Sequence, residues 1–146
     1  NELGVINNGD NYYEIENTNG IKLSRSDMSA LAQAKAANYC GQSIAIKRSG
    51  LEINEFKHLF LSGGFANYIN VDNAKKIGFL IDTPNANISK IGNSALNGAI
   101  IYLVNIDERT KIESIVNSIK HVELETDENF FDHFVEGCQF KELKVM

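Results

Sequence analysis

Two short apolar runs in this chain each stop at glycine and then change to helical periodicity. The first is Lys57-His58-Leu59-Phe60-Leu61, which runs into Ser62-Gly63-Gly64-Phe65. The second covers residues 88–91 and runs into Gly92-Asn93-Ser94. An apolar run of this length reads as a buried strand, and the glycines as a tight turn. Such a junction presents backbone amides at a helix N-terminus, where they can hold an anion, and the absent side chains let a ligand approach. A plain tight turn is the alternative reading of either junction alone. Two of them, about thirty residues apart, constrain the fold to strands that alternate with helices.

The rest of the chain fits that frame. Residues 4–21 read as strand and turn: Val5-Ile6, the turn Asn7-Asn8-Gly9-Asp10, a strand over residues 12–16 and a second turn at Asn17-Thr18-Asn19-Gly20. Ser24-Arg25-Ser26-Asp27 has the form of a capping box. It opens a helix that reaches residue 43 or 47, with Met28, Leu31, Ala32 and Tyr39 on its apolar face and Ser49-Gly50 at its close. A short helix follows over residues 71–77, capped by Asn70, and a loop holds Pro84. Two further helices are expected over residues 95–104 and 107–118, the second with Ile112, Ile115, Val116 and Ile119 at core spacing. Val122-Glu123-Leu124 reads as a strand and residues 127–135 as a last helix, with Phe130, Phe131 and Phe134 as core or interface filling. The tail after Gly137 reads as a final strand or a loose end. The class is α/β, a mixed sheet flanked by helices, in a single domain over residues 1–146. The opening at Asn1 reads as the middle of a longer protein.

Composition narrows the function. The formal net charge is −5 and the densest basic patch is Lys47-Arg48, which argues against a nucleic-acid partner. No apolar run is long enough for a membrane span, so no membrane partner is expected. Cys40 and Cys138 lie far apart and form no Cys-x-x-Cys, so no zinc or iron-sulfur site is expected from them. Two free thiols in a reducing cytoplasm fit better than a disulfide. His58, His121 and His133 show no metal spacing, and His58 reads as a hydrogen-bonded structural histidine. Glu123, Glu125, Asp127 and Glu128 read as a solvated acidic run.

Residues 60–69 (Phe-Leu-Ser-Gly-Gly-Phe-Ala-Asn-Tyr-Ile) resemble a run in the ATP-dependent reductive activators of corrinoid proteins. Lys75-Lys76-Ile77-Gly78-Phe79-Leu80, the Pro84 loop and residues 91–99 follow in that family's order. Leu23-Ser24-Arg25-Ser26-Asp27, residues 33–37, Val122-Glu123-Leu124 and residues 130–134 are similar too, so the resemblance covers nearly the whole chain. It implies the ribonuclease H-like, actin/Hsp70-like fold, whose two halves enclose a nucleotide, with this chain as the C-terminal half. By analogy Gly63, Gly64, Phe65 and Asn67 line the nucleotide, and Gly92 and Asn93 belong to the second connecting segment at the hinge. Gln33 and Lys35 match a helix whose polar residues reach the adenine, although Lys35 reads equally as a solvated position.

The resemblance further implies ATP with magnesium in the complete domain. It implies an iron-sulfur cluster in an N-terminal ferredoxin-like domain outside this chain. The expected reaction returns Co(II) corrinoid to Co(I) on the corrinoid protein of a methyltransferase system. No Asp-x-Gly-x-Thr phosphate loop is present, so the chain by itself is expected to be inert. The alternative is a non-catalytic docking module, or a homodimerisation module, of an iron-sulfur protein.

Overall fold

The computed structural model describes residues 12–143, which sort into two compact units. The expected strand at Val5-Ile6 and the turn at residues 7–10 lie outside the described residues. One unit comprises the chain up to Ile53, Asn70–Asp82 and the chain from Leu124 onward; the other comprises Asn54–Ile69 and Thr83–Glu123.

The first unit is organised by one long helix. An antiparallel ribbon precedes it, β1 (Tyr12–Glu14) on β2 (Lys22–Ser24), with Tyr13 opposite Leu23. β1 stops at Glu14 rather than Glu16 because Asn17 and Gly20 turn left-handed and Ile15 N–H closes on the Ile21 carbonyl at 2.9 Å. Helix α1 (Arg25–Ser49) then starts on the expected capping box. Ser24 Oγ accepts from Asp27 N–H at 3.1 Å, and Asp27 Oδ2 accepts from Ser24 N–H at 2.8 Å. Those bonds hold the Asp27 carboxyl below its ordinary range. Gly50, left-handed at φ 72°, ends the helix.

The buried stripe of α1 is Lys35, Ala36, Tyr39, Cys40, Ser43 and Ile44, which differs from the expected face. Of the expected residues only Tyr39 is fully buried; Met28 and Ala32 are half-buried and Leu31 is exposed. The stripe begins at Lys35 because that is where helix α6 (Phe130–Gly137) lies across α1. The two backbones approach so closely that a Cβ on Gly137 would stand 2.8 Å from Ala36 Cα. Tyr39, Ile81 and Leu143 form the hydrophobic core, with Ile46 and Ile53 against it. Tyr39 Oη donates to Glu136 Oε2 at 3.1 Å, and its ring meets that of His133 edge-on at 6.2 Å.

Helix α3 spans Val71–Lys76 and is capped by Asn70, whose Oδ1 accepts from Asn73 N–H at 2.9 Å. The turn and bend after it lead to backbone groups that α1 side chains satisfy. Asn38 and Gln42 amides donate to the Phe79 carbonyl at 2.6 and 2.9 Å, and Gln42 Oε1 accepts from Ile81 N–H at 3.2 Å.

Four expectations fail in the C-terminal part of the chain. Val122-Glu123-Leu124 makes no strand: Leu124–Thr126 is a 3-10 turn, closed by Asp127 N–H on the Leu124 carbonyl. The last helix starts at Phe130, because Asp127 instead forms the turn before it. Asp127 is buried rather than solvated. It pairs with Arg48 at 2.8 Å and accepts from Asn129 N–H at 3.1 Å, and these bonds pull its carboxyl down to about 2, the Asn129 amide first. Phe131 is exposed, whereas Phe130 and Phe134 are half-buried and stacked at 6.1 Å. The tail is neither strand nor loose as far as it is described, since Leu143 enters the core. Both cysteines are free thiols, with Cys40 buried.

The second unit holds a parallel pair, β3 (His58–Ser62) beside β4 (Asn87–Gly92). Parallel and antiparallel pairing therefore both occur, in separate two-stranded sheets. Helix α2 (Gly64–Tyr68) follows β3, and helix α4 (Ser94–Val104) follows β4. Helix α5 (Ile106–Ser118) comes directly after α4. Asn105 serves both: its N–H donates to the Ile101 carbonyl, and its Oδ1 accepts from Asp107 and Glu108 N–H.

The expected burial does not hold in this unit. β3 alternates, with Leu59 and Leu61 half-buried, and Phe60 60% exposed. A two-stranded sheet covers one face at most. His58 is exposed and stacks on Phe60 at 5.9 Å rather than sitting in a core. Ile112 is half-buried, but Ile115, Val116 and Ile119 are exposed.

Candidate functional site

The parallel register brings the two glycine junctions side by side. Leu61 lies opposite Lys90, and after an irregularity Ser62 lies opposite Gly92, so both strands end at one level. Gly63 N–H donates to the Gly92 carbonyl at 2.7 Å. The Ser62 hydroxyl donates to the same carbonyl at 3.3 Å, and Ser62 Oγ lies 2.5 Å from Ser94 Oγ. Thus Gly63, Gly64, Phe65, Gly92 and Asn93 share one edge, where the carboxyl ends of parallel strands meet two helix starts. Ligands of open α/β sheets bind in that position.

The glycines differ in why they are glycine. Gly63 has φ 96° and Gly92 φ 63°, conformations that a side chain disfavours. Gly64 has no positive φ, and a Cβ there would meet nothing within 4 Å. Among the described residues, neither backbone conformation nor packing accounts for Gly64. The space beside Gly63 and Gly92 is equally open. Phe65 is 69% exposed and Asn67 is exposed. Asn93 caps α4, its Oδ1 accepting from Leu96 N–H at 3.0 Å.

Gln33 and Lys35 belong to the other unit. They stand two residues apart on α1 and so face opposite ways. Gln33 is exposed and donates to Ser29 Oγ at 3.2 Å. Lys35, read as solvated or at the adenine, is instead fully buried. Its ammonium donates to the carbonyls of Gly137 and, at 3.5 Å, Gly78, and lies over the Phe140 ring. Burial pushes its pKa down to about 8. The tertiary position of α6, invisible in local sequence, decides this.

Ser62, Ser94 and Lys90 also stand at these strand ends, and sequence reasoning did not single them out. The serines flank the glycines symmetrically, which was a usable signal, but their pairing needs the strand register. Lys90 carries no signal as an isolated lysine in a strand. Among the described residues no three His, Cys, Asp or Glu side chains converge as a metal site, and no helix is long and apolar enough to cross a membrane.

Residues 6–146 match the family described as the C-terminal domain of RACo, the ASKHA domain. The corrinoid activation enzyme RamQ of Eubacterium limosum is 32% identical over 96% of this chain and 25% of its own length. The solved structure of a reductive activator for a corrinoid, iron-sulfur protein superposes with a TM-score of 0.79 at 25% identity, again over 96% of this chain and 25% of that one. The chain spans about a quarter of the length of these relatives. Its fold is the α/β ASKHA type, and the chain belongs to the C-terminal ASKHA-domain family of the reductive activators of corrinoid proteins.

Proposed function

We propose that this chain supplies one wall of an adenine-nucleotide cleft in a cytoplasmic, ATP-dependent corrinoid activator. Residues 1–146 serve as the C-terminal part of the nucleotide-binding domain. The observation that carries the reading is Gly64, bare and open at the strand ends, where nothing among the described residues demands glycine. A ligand that must lie against the main chain explains it. Gly63, Gly64 and Phe65 lie along the adenosine and its first phosphate, with Asn67 beside them. Gly92 and Asn93 act where the two halves of the cleft hinge. On α1, Gln33 is exposed and keeps the polar role toward adenine that the resemblance implies, whereas Lys35 ties α1 to the Gly137 and Gly78 carbonyls.

In the complete protein, hydrolysis of ATP bound with magnesium would supply the free energy for an uphill one-electron step. An iron-sulfur cluster, in a ferredoxin-like domain outside this chain, would supply the electron that takes a Co(II) corrinoid on a methyltransferase's corrinoid protein to Co(I). This chain's residues bind and orient the nucleotide. Calorimetry of the complete protein with ATP or ADP and magnesium tests the reading. Binding that weakens on Gly64→Val supports it, and no binding by the unmodified protein ends it.

A second reading, a docking or homodimerisation module, draws on the apolar side chains exposed along α4 and α5, among them Val104 at 77% and Ile115 at 62%. Sedimentation of the chain with and without the corrinoid protein separates the two readings, because only the module associates without nucleotide.

A further inference from the structure

α2 is five residues long, too short to be stable by its own hydrogen bonds. Its closing carbonyls have no partner inside the helix, and Gly63 offers no side-chain cap at its start. What holds it is β4. At the start of α2, Gly63 N–H donates to the Gly92 carbonyl at 2.7 Å. At its end, the Lys90 ammonium donates to the Ile69 carbonyl at 2.6 Å and the Asn67 carbonyl at 3.2 Å. The cation also meets the negative end of the helix dipole. One strand thus grips both ends of the element that carries Gly64 and Phe65, with Ala66 buried between.

We infer that Lys90 is a positioning residue for nucleotide binding: it never touches the ligand, but fixes α2 so that the Gly64 main chain and Phe65 are presented in register. This rests on the nucleotide reading above. A lysine that merely decorated a solvated strand would leave the ends of α2 to water.

The experiment compares the complete protein with its Lys90→Met and Lys90→Arg variants, using ATP with magnesium as the probe. Lys90→Met is expected to weaken binding about tenfold and to speed amide exchange at residues 66–69 by a similar factor, the scale of a lost charged hydrogen bond, with the melting temperature held within a few degrees. Lys90→Arg, which can also donate to two carbonyls, is expected to restore both. Full binding by Lys90→Met, or unchanged exchange, overturns the inference while leaving the nucleotide reading intact. Failure of the unmodified protein to bind ATP removes both.

Discussion

Gly78 and Gly137 in one unit, and Gly63, Gly64 and Gly92 in the other, are bare for opposite reasons. A Cβ on Gly78 would overlap the Lys141 carbonyl oxygen and stand 2.8 Å from the Leu143 side chain, and one on Gly137 would strike the α1 backbone. Among the described residues, a Cβ on Gly63, Gly64 or Gly92 would meet nothing within 4 Å. The first pair is glycine because the chain packs against itself. In the second group conformation accounts for Gly63 and Gly92, and only Gly64 is left without an internal cause. Subtracting what the fold requires leaves Gly64, and Gly98 inside α4, without such a cause, and of the two only Gly64 stands where the paired strands end.

Substitutions test that contrast. Gly78→Ala carries both a clash and a left-handed φ of 73°, and is expected to lower stability by about 3 kcal/mol in denaturant unfolding. A loss below about 1 kcal/mol would mean the crowded turn relaxes freely.

Lys35 gives the next effect, read from unfolding between pH 7 and 12. The folded chain releases the Lys35 proton near pH 8, whereas an unfolded lysine holds it to about 10.4. The unfolded state then binds more protons, so stability rises across that window, by about 3 kcal/mol. Tyr39, pushed up to about 12 chiefly by burial, acts the other way: the folded state keeps a proton that the unfolded state loses near pH 10, so stability falls above it. Lys35→Met should abolish the rise and keep the fall. A rise that survives the substitution would show that some other group causes it.

Gly64→Ala is the converse of Gly78→Ala. It is expected to leave stability unchanged or raise it by about 0.5 kcal/mol, yet to weaken ATP binding about tenfold, a change of about 1.4 kcal/mol. Unchanged affinity would return Gly64 to the class of incidental glycines.

The smallest effect belongs to Asp127. Its depressed carboxyl contributes stability above the ordinary value of about 3.9, and loses it as pH falls toward about 2. Acid unfolding of Asp127→Asn should show a shallower slope between pH 4 and 2, and an identical slope would place the acid sensitivity elsewhere.

What the sequence showed, and what it hid, divides by range of interaction. The Ser24–Asp27 capping box, the Asn70 cap, the Gly50 stop and both glycine junctions were legible because each is written within a few residues. The adjacency of the junctions was not, since it depends on which strand pairs with which. Lys35 and Asp127 were read as solvated because charge is normally exposed, and only α6 and Arg48 bury them. Ile115, Val116 and Ile119 have core spacing, but spacing says that a face is apolar without saying what meets it.

Asn105 is the entire connection between α4 and α5. Arg109 reinforces the joint by donating from α5 to the carbonyls of Tyr102 and Leu103. With no slack residue in the link, neither helix can fray at that corner without opening the other, so the pair should behave as a single lever and exchange its amides as one block. A push on the far end of α5 would then reach Asn93, and the strand end beside it, through a rigid elbow.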